Sequence, residues 1–428
     1  MKTLNKNYPK VLPKVNEKIG NGLSDSGLRV EDFDPLLYID FTRGDIDPVI
    51  GIGLGTFTAD RETATNFATK INQSKLVSDV VTDDEERFVY GHYAEDGFSG
   101  GRGIMLEKAD TNLEVDIEDY SFGNGWYNFG SLLITSGKED PKGQFNASSV
   151  KGPVADGFVA KAFASITAGE RYYFSVWVKV LSGTVWISLN DNGTGTKQSY
   201  KIEHNSYSGW RKYTFYYDVT ATATELLVGL WDSASGSNGE ICVWGASLTR
   251  YRTSTIPSAG SAMTRNIEFL KYNLNGNFNG VEGSIALAFR PIDLPAEQET
   301  DYPSLVHLNN GIGERASFRY AEIINDDLMF YREGGDSARG SSGIVDPHGL
   351  HTIIGTYKNG ELYKVYLDGA LLGTSSANWV TLDTSAGDIF INGTGSGAHV
   401  NITAKAFATF NEILTSQEVA SLDMALRG

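Results

Sequence analysis

Between residues 114 and 250, apolar and polar positions alternate with a period of two in a series of short runs. RYYFSVWVKV (171–180), TVWISL (184–189), RKYTFYYDV (211–219), ELLVGLW (225–231) and EICVWGASL (240–248) are separated by SG, DNG, YSG and SNG turns. Alternation with regular turn punctuation and no helical period predicts an antiparallel sandwich or jelly roll. A second series follows, from GSIALAFRPI through SLVHLN, ASFRYAEII, DLMFYREG, GLHTIIGTYKNG, LYKVYLDGALLG and GDIFING to KAFATFNEIL. There KNG (358–360) and LDG (367–369) bracket one alternating strand, the pattern of a hairpin meander. Only the end of the chain has helical spacing. Thr415 and Glu418 form a capping box, and Val419, Leu422 and Leu426 fall on one face.

The pattern predicts an all-β chain of two antiparallel β-sandwich (jelly-roll) domains with a short C-terminal helix. Residues 1–37, with three prolines and weak periodicity, read as an extended N-terminal anchoring arm. Residues 38–113, short apolar pieces broken by glycine, read as a small β-rich module. The jelly roll takes 114–252, a Ser/Thr-rich linker 253–266, and the second sandwich 267–428.

ICVWGASLTR (241–250) carries the single cysteine of the chain. In a strand, Cys242 and Trp244 share one face while Ile241 and Val243 share the other. Both faces are apolar, so this strand is expected to be covered on each side or to face a neighbouring subunit. Cys242 is expected to be inert packing, since no base or cationic neighbour accompanies it in sequence.

Composition narrows the classes. At 428 residues there is room for two or three domains. A net charge of −17 without a basic stripe argues against nucleic acid as a partner. One cysteine excludes an intrachain disulfide framework and a multi-Cys zinc site. No segment has the length and apolarity of a membrane span, and the lysine-bearing start lacks the apolar run of a secretory signal.

Candidate chemistry is sparse. In HGLH (348–351) an offset of three puts the histidines on opposite strand faces, which disfavours a shared zinc. GIGLG (51–55) lacks the strand–turn–helix context of a phosphate loop. Paired carboxylates such as those in DDEE and IEDY would support glycoside cleavage only if a cleft set two of them about 5–10 Å apart. The aromatics say more. NGWYNFG (124–130), YSGW (207–210) and GLWDSASGSNG (229–239) place Trp or Tyr beside Gly, Asn and Asp. These residue types stack on sugar faces and bond sugar hydroxyls. Trp126, Tyr127, Trp210, Trp231 and Asp232 are the glycan-binding candidates, whereas Trp177, Trp186 and Trp244 are expected in the core. No organic cofactor is expected. The oxygen-rich loops NDNGTG and GDSARGSSG are the candidate seats of a structural Ca²⁺, through Asn190, Asp191 and Asp336.

Several stretches together resemble tailed-bacteriophage fibre and spike proteins. YIDFTRGDIDP (38–48), TFTADRETAT (56–65), ERFVYGHY (86–93) and RGIMLEKADTNLE (102–114) resemble their opening module. RYYFSVWVKV, SGWRKYTFYY and ICVWGASLTRYRTSTIPSAGSAMTRN resemble the carbohydrate-binding-module-like jelly roll that follows it. HTIIGTYKNGELYKVYLDGALLG through KAFATFNEILTSQEV is similar to concanavalin A-like/laminin-G-like sandwiches. TFTADRETAT departs from that pattern by an extra residue and Asp60, and Ser247-Leu248-Thr249 replaces the usual Gln-Leu-Glu, which weakens any transfer of ligand specificity. The resemblance implies a structural virion protein without catalytic residues, assembled in the host cytoplasm and displayed on the virion surface. Its implied partners are other virion proteins through the arm and host surface polysaccharide, with homotrimers common among such proteins. A decoration protein without a ligand and a polysaccharide-degrading tailspike enzyme are the alternatives.

Overall fold

The structure is a computed structural model that describes residues 29–43, 50–51, 58–61, 69–71, 77–80, 88–90, 102–107, 109–114, 125–130, 132–152, 157–203, 209–252, 256, 262–265, 267–292, 303–311, 313–320, 327–334, 336–344, 349–393 and 399–427. Residues 1–28 of the expected arm, the DDEE and IEDY carboxylates, His348 and most of GIGLG lie outside the described residues. The chain forms two compact units. One comprises Met1–Asp60, Gly103–Leu106 and Phe269–Gly428, and the other Arg61–Arg102 and Glu107–Glu268.

The unit that includes Glu107–Glu268 contains a ten-stranded antiparallel sandwich. Its strands are β1 (Trp126–Phe129), β2 (Leu133–Lys138), β3 (Ala147–Lys151), β4 (Phe158–Phe163), β5 (Arg171–Ser182), β6 (Thr184–Asp191), β7 (Gln198–Glu203), β8 (Arg211–Asp218), β9 (Leu226–Asp232) and β10 (Glu240–Thr249). One sheet runs β2-β3-β10-β5-β8 and the other β7-β6-β9-β4-β1. Each alternating run sends one set of side chains into the shared core. Phe174, Val176 and Val178 of β5 meet Val185, Ile187 and Leu189 of β6, all 0–1% exposed. Fully burying a side chain of this size stabilises by about 1.5–3 kcal/mol, which is why the period-two pattern fixes the register. The same parity turns Trp186 outward, where it is half-buried, a correction to its expected core position.

The β10 strand is apolar on both faces, as its sequence predicts. Ile241 and Val243 join the central core, while Trp244 packs with Ala147 and Trp177 on the outer side, against a half-buried Trp210. The Lys142 ammonium lies 5.0 Å from the Trp244 ring centroid. The second face is therefore covered by the same chain. Burial pushes the Cys242 thiol pKa up, the state of an unreactive packing residue.

Before and after this sandwich the chain is clamped to itself. Asp110–Asn112 pairs with Met263–Arg265 in a two-stranded ladder. The fully buried Asn112 side chain donates to the Ile256 carbonyl at 2.9 Å and accepts the Leu248 and Glu114 amides at 3.0 Å each. Arg265, Glu107 and Glu268 are 0–2% exposed; Arg265 Nη1 lies 2.9 Å from Glu107 Oε2, and Glu268 accepts the Glu107 amide.

The second unit is also a sandwich. One sheet orders its strands as Ile50–Gly51, Pro35–Asp40, Ile402–Phe410, Glu282–Pro291, His351–Lys358, Leu362–Leu367 and Ala370–Asn378, and Arg102–Leu106 adds to Ile402–Phe410. The other contains Ser337–Ser341, Asp327–Arg332, Arg315–Tyr320, Ser304–Asn309, Asp388–Ile391 and Glu268–Asn273 in that order. The meander bracketed by KNG and LDG forms as its sequence predicts. Asp368 and Gly369, both at positive φ, make its second turn. Residues 29–37, the end of the expected arm, lie in this unit. Val30 and Phe33 are 2% and 5% exposed and pack with Phe410 and Leu422, because Pro35–Asp40 finds its ladder partner in Ile402–Phe410. That partner is remote in sequence, so no local pattern announces the pairing.

The terminal helix α1 (Ser416–Arg427) has the expected capping box. Glu418 accepts from the Thr415 amide and hydroxyl at 2.8 Å each, and Thr415 Oγ1 accepts the Glu418 amide. Val419, Leu422 and Leu426 are buried against the first sheet of this unit. Among the described residues, no helix is long and apolar enough to cross a membrane.

Candidate functional site

The glycan-binding candidates separate according to strand parity. In β1, Trp126 is 3% exposed and lies in the core, under the Lys161 ammonium. Tyr127 and Phe129 have the opposite parity and point outward, 48% and 52% exposed. Phe158 of β4 is the cross-strand partner of Phe129, and the two rings stack with centroids 4.5 Å apart and planes at 13°. The Tyr127 ring follows at 6.4 Å from Phe129.

Phe158 is also the partner of Asp232 on β9. The three positions therefore form a row across β1, β4 and β9 on the outer face of one sheet. What puts Asp232 there is a β-bulge. The β4–β9 register steps from Ala160↔Gly229 to Val159↔Trp231, leaving Leu230 as the extra residue. Strict alternation from Gly229 would have turned Trp231 outward. The bulge sends both Leu230 and Trp231 into the core at 0% exposure, and Trp231 Nε1 donates to the Gly239 carbonyl at 3.2 Å. Trp126 and Trp231 are thus core residues, a correction to their sequence-based reading as surface stacking groups.

Asp232 is 5% exposed but well partnered. Lys197 forms an ion pair with it, and Ser235 Oγ donates to Oδ2 at 2.9 Å. Ser235 in turn bonds Ser199 on β7 at 2.9 Å. Burial works to raise the Asp232 pKa, but the bonds from Lys197 and Ser235 outweigh it and hold the carboxyl below its ordinary value. Gly229 keeps the neighbouring floor low: a Cβ there would meet Ser188 Oγ at 2.5 Å. The arrangement is an aromatic platform beside a fixed cluster of carboxylate, ammonium and hydroxyl groups. Such a surface can stack on the apolar face of a ring while bonding its hydroxyls.

Trp210 belongs elsewhere, half-buried beside Trp177 and Trp244 on the outer face of the opposite sheet. Phe129, Phe158 and Lys197 were missed by the sequence reading. Phe129 was legible, since NGWYNFG gives it the parity of Tyr127; the other two depend on pairings that cross strands.

The calcium candidates are engaged by protein groups. Asp191 Oδ1 accepts the Gly193 and Gly195 amides and Oδ2 the Thr220 amide, at 2.8–3.3 Å. These bonds outweigh burial and lower its pKa, the geometry of a loop cap. Asn190 is half-buried beside it, and the exposed Asp336 accepts the Ser376 hydroxyl. Among the described residues no group of three His, Cys, Asp or Glu side chains could hold a metal ion. His351 bonds Asp368 at 2.9 Å through Nδ1.

No protein-family model and no curated protein matches the chain. Among solved structures, domain 4 of AbnA, an extracellular GH43 arabinanase from Geobacillus stearothermophilus determined with arabinotriose, is 14% identical with a TM-score of 0.31, covering 37% of this chain and 73% of that one. The receptor-binding domain of botulinum neurotoxin D is 14% identical with a TM-score of 0.29, covering 37% and 41%. The binding domain of Paraclostridial Mosquitocidal Protein 1 is 13% identical with a TM-score of 0.31, covering 38% and 43%. The chain thus spans about two fifths of these two binding domains.

Proposed function

We propose that this chain is a structural subunit on the surface of a tailed-bacteriophage particle, and that its jelly roll binds host-surface glycans through the β1–β4–β9 platform. The observation that carries the binding reading is the row Phe129–Phe158–Asp232: two stacked rings, one of them half exposed, next to a carboxylate held by Lys197. Phage assignment rests on the ordered resemblance of residues 38–114 and 171–266 to fibre modules. Asp232 is already committed to Lys197 and Ser235. That favours binding over cleavage, because glycoside hydrolysis needs two free carboxyl groups facing one bond. Weak single-site binding suffices when many copies act together on one particle.

The test is binding of purified protein to an array of bacterial capsular and O-antigen polysaccharides, with Phe129→Ala and Tyr127→Ala beside the wild type. Retention of a subset of glycans, lost in Phe129→Ala while its circular dichroism spectrum and cooperative unfolding are kept, supports the reading. Equal signals for wild type and Phe129→Ala remove the platform. No retained glycan favours a ligand-free decoration role, and release of reducing ends favours an enzyme. Immunogold electron microscopy of the parent particle locates the chain, and its absence there overturns the virion assignment.

A further inference from the structure

At the edge of the same sandwich opposite β1, strands β7 and β8 are terminal in their sheets, and an open groove of about 570 Å³ lies along them. Its walls are aromatic. Tyr200 stacks on Phe215 at 4.4 Å, Tyr213 lies parallel to Phe215 at 6.2 Å, and the outward-turned Trp186 and Tyr216 are the remaining aromatic members of the lining. The walls are held in place from behind: Tyr200 Oη donates to Gln198 Oε1 at 2.6 Å and reaches the Tyr216 carbonyl at 3.0 Å, while the Arg171 guanidinium sits 4.4 Å from the Tyr216 ring.

The charges are one-sided. Among the described residues, Lys201 and Arg252 are the charged members of the lining and no carboxylate lines the groove, although the chain as a whole carries −17. Lys201 pairs with Glu203, but both side chains are about half exposed (47% and 56%). Exposed pairs of this kind contribute about 0–1 kcal/mol and exchange readily for a better partner. Aromatic walls with a cationic rim suit a sugar ring that bears a carboxylate: the ring faces stack, and the carboxylate meets the Lys201 ammonium, while Arg252, 5.7 Å from the Tyr173 ring centroid, adds positive charge to the same rim. The volume falls within the ~300–1,000 Å³ typical of small-ligand sites.

We propose that the β7–β8 groove is a second glycan subsite, selective for carboxylate-bearing sugars of the uronic- or sialic-acid type. This rests on the glycan-binding reading of the platform and adds the class of ligand. The platform on β1 and the groove at β7 sit at opposite edges of one five-stranded sheet. A long acidic chain can engage both, whereas a short oligosaccharide engages one.

The experiment extends the polysaccharide array with two groove variants, Lys201→Ala and Tyr216→Ala, and adds titration of Trp186 fluorescence with oligogalacturonate, sialyllactose and neutral lactose. Expected are a fluorescence change with an acidic probe and none with lactose, loss of that change in Trp186→Phe, and weakening of acidic polysaccharide binding by about tenfold in Lys201→Ala. About 0.5 M NaCl should weaken binding of acidic glycans in the wild type and leave neutral ones unchanged. Two results would overturn the groove while sparing the platform: retained glycans that are all neutral, or groove variants that bind acidic glycans as the wild type does, with Phe129→Ala still losing binding. Loss in the groove variants with none in Phe129→Ala would keep the groove and remove the platform.

Discussion

Lys161 Nζ lies 2.6 Å from Glu114 Oε1, with the two side chains 9% and 0% exposed. The pair joins the start of the jelly roll to β4, and the ammonium also sits 5.5 Å from the Phe163 ring centroid and 5.9 Å from that of Trp126. Breaking such a pair leaves a buried charge without compensation, whereas replacing both members by apolar groups avoids that penalty. Glu114→Ala is expected to cost about 3–5 kcal/mol, and Glu114→Leu with Lys161→Met much less. Urea denaturation of the three proteins, with unchanged slopes, checks this. Equal losses in single and double variants would show that the pair is not the source.

How much of this was legible beforehand depended on whether the information was local. The strand runs of the two sandwiches, the 362–367 hairpin and the α1 cap follow from alternation and spacing within a few residues, whereas the recruitment of Pro35–Asp40 and Arg102–Leu106 to the second sandwich rests on pairing with the remote Ile402–Phe410. The site was only partly legible. Parity separates Trp126 from Tyr127 and Phe129, but it gives the wrong side for Trp231, because the bulge at Leu230 shows itself only against β4. Likewise Asp232 and Tyr127 share a face that Trp210 does not, since strand order within the sheets is set by remote pairing.

The bulge makes a contrast that can be measured. Trp231 fills the core, and a Cβ on Gly152 would lie 2.4 Å from its ring. Trp231→Ala is expected to destabilise by about 3–5 kcal/mol, and Gly152→Ala to be destabilising through overpacking. Phe129→Ala, which removes a half-exposed ring and its stacking on Phe158, should cost about 1 kcal/mol, well short of Trp231→Ala. Thermal unfolding followed by near-ultraviolet circular dichroism checks all three. A neutral Trp231→Ala would place that ring outside the core.

Asp110 gives the jelly-roll clamp a defined pH dependence. Burial raises its pKa to about 6, and the opposing effects of Arg265 and of the Arg250, Tyr251 and Thr111 amides do not cancel that rise. The folded state therefore holds a proton that the unfolded chain releases near pH 4. The contribution of Asp110 is fully present below about pH 4 and is lost as pH rises to about 6, a change of roughly 3 kcal/mol at most. Because other carboxylates slope the opposite way, the quantity to measure is the stability of wild type relative to Asp110→Asn. Wild type should lose ground to the variant across this window, and a constant difference from about pH 4 to 7 would contradict it.

Asp368 slopes the other way and acts on the terminal helix. Burial works to raise its pKa, but His351, the Thr352 amide and Arg427 outweigh that and lower it. Arg427 also bonds Asp423 at 2.7 Å, and Asp423 accepts the Thr352 hydroxyl, so one network ties α1 to the strand His351–Lys358. A depressed carboxyl stabilises above its unfolded pKa of about 4 and loses that contribution as pH falls through its folded value. Asp368→Asn should therefore raise amide hydrogen exchange in α1 at neutral pH while leaving the jelly-roll strands protected, and the gap between variant and wild type should narrow in acid. Unchanged exchange in α1 would mean that Val419, Leu422 and Leu426 hold the helix without the ion network.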